Sequence, residues 1–207
     1  MKNTEEVITD TIIDWAESLL DKCSNNALVK QTPILKFFIA AYKDFSTSQK
    51  EEKQKLLLGF LDSCADLTEQ DILNFLCENA MDSEKTGEAL SSLILSLNQI
   101  EKCVLIGRLY KNTVFRQILV DDCRRIIHII QKCNYEDLLL LKYFEPDIEI
   151  INNGKFIHSK LGVTNLFHLG LLDEAPWEGG TASTPEEDFD VPGYLINEYG
   201  KLVKGCL

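Results

Sequence analysis

The spacing of apolar residues predicts α-helices over the first two-thirds of the chain. Apolar side chains recur every three or four positions in successive segments, and at most a few polar residues separate one segment from the next. Such short connections favour antiparallel neighbours, so we expect a multi-helix bundle over residues 1–133. The predicted helices cover 4–22, 33–42, a segment after Ser48, 68–77, a segment after Ser83, 99–110, 114–133 and a segment from the cap at Asn134 through Phe144.

Helix starts are marked by a polar residue followed three positions later by a carboxylate. This spacing lets the first side chain accept a hydrogen bond from the third backbone N–H of the helix while the carboxylate accepts one in return. The pairs that predict such caps are Ser48 with Glu51, Thr68 with Asp71, and Asn134 with Asp137.

The predicted helix over 114–133 is amphipathic. Its core face is expected to carry Phe115, Ile118, Leu119, Cys123, Ile126, Ile127 and Ile130. Arg116, Arg124, Arg125 and Lys132 fall on or near the polar side, interleaved with aspartates, which is typical of a solvated helix face. His128 lies within the apolar stretch, and we predict that it is a core or boundary residue.

The most apolar run covers residues 34–42 (ILKFFIAAY). It is too short to cross a bilayer, which needs about 20 apolar residues. A buried helix is favoured over an interfacial one, because the run has few lysines to face lipid headgroups, which argues against peripheral membrane contact. The run can also extend a protein interface, with Phe37, Phe38 and Tyr42 as candidate partner-binding residues.

The pattern changes after residue 133, and we expect a small α+β module over 134–207. Isoleucines at 148, 150 and 151 with Asn153-Gly154 predict a hairpin. A short helix over 159–168 should end at Gly170, and residues 171–172 should pair antiparallel with 194–196. Between these strands lies the predicted acidic loop 173–192, whose prolines and carboxylates are typical of a mobile segment.

The sequence of this tail carries one resemblance to known proteins. Residues 166–172 (LFHLGLL) followed by YLINEYGKLV at 194–203 resemble the end of bacterial winged-helix domains, with Asn197 in place of the usual threonine cap and Gly200 matching the glycine. As a whole, the chain resembles uncharacterised bacterial helical-bundle proteins with a C-terminal winged-helix-like module, of the type associated with mobile-element or phage-defence genes. The resemblance implies a recognition helix with Ser159, Lys160, Thr164, Asn165 and His168 toward DNA.

The charge balance argues against nucleic acid as the partner. The chain has a formal net charge of -12, and the segment from Asn134 onward carries 5 basic against 13 acidic residues. Carboxylates repel phosphates, and affinity for nucleic acid depends heavily on cation–phosphate contacts. An acidic loop suits a basic protein surface instead, which makes Trp177, Glu186, Glu187 and Asp188 candidate partner-binding residues.

The sequence contains no recognisable catalytic, cofactor-binding or metal-binding motif. The seven cysteines are scattered singly, which is typical of reduced core residues, and the polar N-terminus lacks the pattern of a signal peptide, so we expect a cytoplasmic protein. No phosphate-binding, dinucleotide, hydrolase or metal-ligand spacing is present, so we expect no cofactor, no metal and no catalytic residue. A pair of Cys133 with His128 or His158 stays open, because one sequence does not show spatial proximity.

These observations lead to one leading function and one alternative. We expect a non-enzymatic intracellular protein-interaction or regulatory protein, as a phage-defence or counter-defence component, whose partner is another protein or a second copy of itself. The alternative is a DNA-binding transcriptional regulator that uses the winged-helix-like tail.

Overall fold

Helices dominate the part of the chain that the structure, a computed structural model, describes: residues 50–144, 160–174 and 194–207. Within these ranges the chain forms eight α-helices, a short 3-10 helix and one two-stranded sheet. The prediction of a mainly helical protein with a small β element near the C-terminus is thus confirmed for this part. The predicted helices over 4–22 and 33–42 and the hairpin over 148–157 lie outside the described residues.

Contacts divide the chain into two compact units, Met1–Gly107 and Arg108–Leu207. The boundary falls within a helix that continues from one unit into the other. The predicted division into a helical bundle over 1–133 and a winged-helix-like module over 134–207 stays a prediction.

The described part of the first unit consists of helices α1 (Lys50–Ser63), α2 (Glu69–Glu78), α3 (Ser83–Ser96) and the start of α4 (Ile100–Val114). Its core includes Leu57, Phe60 and Ile94, which are almost fully buried. Gly107 lets α4 approach α1 closely, because a Cβ at this position would lie 2.8 Å from the Phe60 carbonyl oxygen. The Cys64 thiol donates to the Gly107 carbonyl at 3.3 Å across the same contact.

Helix α2 begins with the predicted capping box. The Asp71 N–H donates to the Thr68 hydroxyl at 3.2 Å, and the Thr68 N–H donates to the Asp71 carboxylate at 2.9 Å. Helix α3 begins at Ser83 as expected, but its capping side chain is Asp82, which accepts from the Lys85 N–H at 2.9 Å. Local side-chain chemistry therefore sets both helix starts.

Three helices end in the same backbone motif, in which one residue adopts a left-handed conformation. These residues are Ala80 (φ +50°), Arg116 (φ +62°) and Gly170 (φ +79°). In each case the next N–H reaches back five residues to a helix carbonyl: Met81 to Leu76, Gln117 to Asn112, and Leu171 to Leu166. This is the Schellman motif, whose left-handed position favours glycine.

The motif at Arg116 makes the predicted continuous helix over 114–133 wrong. Helix α4 ends at Val114, and α5 (Val120–Lys132) begins after the connector 115–119. The turn also moves two predicted core residues to the surface: Phe115 is 44% exposed and Leu119 74% exposed, whereas Ile118 is buried. His128, predicted in the core or at its boundary, is exposed on α5.

The second unit continues with α6 (Tyr135–Leu139), a 3-10 helix (Leu140–Tyr143), α7 (Lys160–His168), strands β1 (Leu172–Glu174) and β2 (Tyr194–Ile196), and α8 (Glu198–Cys206). The helix predicted to follow the cap at Asn134 begins at Tyr135, as expected, and it continues as a 3-10 helix from Leu140. Asn134 occupies the capping position of α6 without a side-chain cap hydrogen bond. Asp137 accepts a hydrogen bond from Asn165 of α7 at 3.1 Å.

Strands β1 and β2 pair antiparallel, as predicted. Leu172 is opposite Ile196, Asp173 opposite Leu195, and Glu174 opposite Tyr194. The prediction that the loop starts at residue 173 is therefore wrong, because Asp173 and Glu174 belong to β1. Leu172 and Ile196 are both buried, and they face the core with Leu138, Leu166 and Val203.

Candidate functional site

An open groove of about 470 Å³ lies where the strand pair meets the start of α8. Its walls come from segments far apart in the sequence, which the β1–β2 pairing brings together. The lining residues are Asp173, Glu174, Leu195, Ile196, Asn197, Glu198, Tyr199 and Lys201. This groove is the candidate site.

Asn197 fixes the geometry of the groove. Its side-chain amide donates to the Gly170 carbonyl at 3.0 Å and to the Asp173 carboxylate at 3.2 Å, while its side-chain oxygen accepts from the Gly200 N–H at 3.0 Å. One side chain therefore caps α8 and ties it to β1 and to the end of α7. The predicted Asn197 cap is confirmed.

Gly200 allows α8 to come this close to the rest of the unit. A Cβ at position 200 would collide with the backbone carbonyl of Leu171 and would lie 2.7 Å from an Ile196 side-chain carbon. The glycine is therefore required by close backbone approach rather than by its dihedral angles.

The rim of the groove is predominantly acidic. Asp173, Glu174 and Glu198 are exposed, and Lys201 pairs with Glu198 at 2.9 Å. Leu195, which is half-buried, adds apolar surface between them. An arrangement of several carboxylates beside apolar surface favours a ligand that is both cationic and partly apolar.

Tyr199 is held in place at the edge of the groove by α5. Arg125 donates to the Tyr199 hydroxyl at 2.7 Å, and its guanidinium lies 5.3 Å from the ring centroid. The same hydroxyl donates to Asp122 at 3.3 Å. These contacts restrict the ring, so binding at this edge requires little further ordering of the Tyr199 side chain.

Comparisons with known proteins assign no family. No protein-family model, no curated protein and no solved structure matches the chain. The candidate function therefore depends on the residues and their geometry.

The residues predicted to read DNA are spread over α7. Asn165 is engaged with Asp137, and His168 is exposed beside Phe167, with ring centroids 5.5 Å apart. Thr164 is half-buried, and Lys160 is the first residue of the helix. The exposed surface of α7 also includes Leu161, which is 73% exposed. Ser159 lies outside the described residues, and the DNA-binding alternative stays a prediction.

The residues predicted to bind a protein partner all lie outside the described residues, and they too stay predictions. They are Phe37, Phe38, Tyr42, Trp177, Glu186, Glu187 and Asp188. The groove residues Leu195, Glu198, Tyr199 and Lys201 were not predicted as site residues. The sequence does contain a signal for this site. The predicted pairing of 171–172 with 194–196 places the start of the acidic segment beside the groove residues.

The buried thiols of the described part are poorly suited to nucleophilic chemistry. Burial raises the pKa of Cys103 to about 12 and also raises the pKa of Cys123 and of Cys206. Cys133 is buried whereas His128 is exposed, and His158 lies outside the described residues. Within the described ranges, no group of three or more His, Cys, Asp or Glu residues could hold a metal ion.

None of the helices in the described part of the chain is long and apolar enough to cross a membrane.

Proposed function

We propose that this chain is a non-enzymatic protein-interaction protein that holds a basic segment of a partner protein in the groove beside β1, β2 and α8. The observation that supports this proposal best is the combination of three exposed carboxylates with the apolar surface of Leu195 in one groove. The proposal extends to a cytoplasmic location, which the scattered single cysteines favour, and to a role as a phage-defence or counter-defence component, which the resemblance of the whole chain to bacterial helical-bundle proteins implies.

The chemistry of the groove suits lysine or arginine side chains of the partner. Their aliphatic stems can lie against Leu195 and Tyr199 while one charged head reaches Glu174 and another competes with Lys201 for Glu198. Asp173 is less available to a cation of the partner, because its carboxylate already accepts a hydrogen bond from the Asn197 side chain. Exposed ion pairs contribute modestly, so we expect a salt-sensitive interaction of moderate affinity.

We also propose that residues 134–207 form a winged-helix-like module that serves protein binding. The order of α7, β1, β2 and α8, with Gly170 ending α7 and Asn197 capping α8, supports this arrangement. In this proposal the strand pair takes the place of the wing. Its exposed carboxylates, Asp173 and Glu174, would repel a DNA backbone.

Calorimetric titration of the full chain with a synthetic peptide of alternating arginine and serine tests the proposal. We expect binding that weakens as the ionic strength rises above about 0.15 M. The double variant Glu174→Gln/Glu198→Gln should weaken it about tenfold, since each exposed pair contributes on the order of 0.2–1 kcal/mol. Glu136→Gln, which removes an exposed carboxylate on α6, is the matched control and should leave the affinity unchanged.

Two results would overturn the proposed site. One is equal binding of the peptide by the double variant and the wild type. The other is an equal loss of affinity in the Glu136→Gln control, which would indicate attraction to the overall negative charge. Light scattering on the free chain separately tests the proposal that a second copy is the partner, and a strict monomer at all concentrations would reject it.

A further inference from the structure

The connector between α4 and α5 presents two large apolar side chains to solvent. Phe115 is 44% exposed and Leu119 is 74% exposed, although they are separated by only three residues. Exposed apolar side chains are common when they are single, but a pair within one short connector is a feature of interaction surfaces when polar residues surround it.

The backbone of this connector is well supported. The Arg116 N–H donates to the Thr113 carbonyl at 3.0 Å, and the Gln117 N–H donates to the Asn112 carbonyl at 2.8 Å. Ile118, between the two exposed residues, is buried and anchors the turn to the core of the second unit. A surface that is already ordered loses little conformational entropy when it binds a partner.

The surroundings of the connector are basic. The exposed side of α5 carries Arg124, Arg125, His128 and Lys132, and Arg124 pairs with Asp121 of the first turn at 3.1 Å. Arg116 within the connector is also exposed. From Phe115 to Lys132 the sequence carries four lysines and arginines against two aspartates, a local formal charge of +2 within a chain of -12. Positive charge is therefore concentrated where the two apolar side chains are exposed.

We infer that the connector 115–119 and the exposed side of α5 form a docking surface for an acidic amphipathic segment of a partner protein. Apolar side chains of that segment cover Phe115 and Leu119, and its carboxylates face Arg124 and Lys132. A protein segment fits better than nucleic acid, because a phosphate backbone offers no apolar counterpart to Phe115 and Leu119. This surface has the opposite charge to the groove, and it does not depend on the proposed function.

The test measures fluorescence anisotropy of a labelled synthetic helical peptide, with leucines at every third or fourth position and glutamates elsewhere, titrated with the full chain. Leu119→Ser should weaken binding about tenfold, as expected for loss of a central apolar anchor. This variant should still fold, because Leu119 is the N-cap of α5 without a side-chain cap hydrogen bond and serine is preferred at that position. Arg124→Gln should weaken binding about threefold.

Matched control variants distinguish binding at this surface from nonspecific binding to exposed apolar or charged side chains. Leu161→Ser removes an equally exposed leucine on α7, and Lys142→Gln removes an exposed cation outside α5; neither should change the affinity. The inference is overturned if Leu119→Ser and Leu161→Ser weaken binding equally. Tighter binding of duplex DNA or of the same peptide with lysines in place of glutamates overturns it as well.

Discussion

Gly200 of α8 lies directly against the backbone carbonyl of Leu171, at the point where the chain leaves α7 for the strand pair. The contact leaves no room for a side chain, and it sets the distance between α8 and β1. The groove exists because these two segments approach so closely.

Gly200→Ala should destabilise the second unit by about 3 kcal/mol, because the methyl group collides with backbone that cannot move without breaking the β1–β2 pairing. Gly205→Ala in the same helix is the control. No atom lies within 4 Å of a Cβ at position 205, so alanine should raise the free energy of unfolding by about 0.5–1 kcal/mol. Urea denaturation measures both changes, and equal effects of the two variants would contradict the account.

Ala80→Gly should stabilise the protein by up to about 1 kcal/mol. Ala80 has a left-handed backbone (φ +50°) that glycine adopts without steric cost. Ala89→Gly should instead destabilise the protein. Ala89 is solvent-exposed and lies in the middle of α3, where glycine costs about 1 kcal/mol of stability relative to alanine. Thermal denaturation of the two variants measures this difference, and a loss of stability in both would refute the proposed helix end.

The capping box of α2 should make stability depend on pH. The Thr68 hydroxyl and then the Thr68 backbone N–H hold the pKa of Asp71 below its ordinary value of 3.8. Because the pKa is lower in the folded state, the stabilising contribution is complete above the unfolded value and is lost as the pH falls through the folded value. Asp71→Asn should flatten the dependence of unfolding free energy on pH in this acidic range, and an unchanged slope would contradict the cap.

Cysteine reactivity should follow burial. Cys77 is exposed, whereas burial raises the pKa of Cys103 to about 12, so little thiolate forms there at neutral pH. Iodoacetamide should alkylate Cys77 in the native protein and Cys103 only after denaturation. Mass spectrometry of timed samples identifies the modified cysteine, and rapid native labelling of Cys103 would show that this helix does not pack as described.

The sequence predicts features that depend on a few neighbouring residues. The capping box at Thr68, the Asn197 cap and the end of α7 at Gly170 are local, so the residues themselves reveal them. The break after Val114 was missed because Arg116 adopts a conformation that only a few per cent of non-glycine residues adopt. The displaced positions of Phe115 and Leu119 follow from that single residue.

The groove could be predicted only in part, because it depends on contacts between distant segments. Glu174 and Glu198 are ordinary surface residues in the sequence, and only the pairing of β1 with β2 brings them to one site. The contact of Arg125 with Tyr199 joins residues 74 positions apart, and no periodicity reveals it.

A chemical-shift map of the isotopically labelled full chain during titration with the arginine–serine peptide shows whether the groove beside β1, β2 and α8 binds a basic segment. We expect the amide shifts to concentrate at Glu174, Leu195 and Glu198 and to weaken in the Glu174→Gln/Glu198→Gln variant. Shifts spread evenly over the exposed acidic residues of α2 and α3, with no preference for the groove, would contradict this expectation.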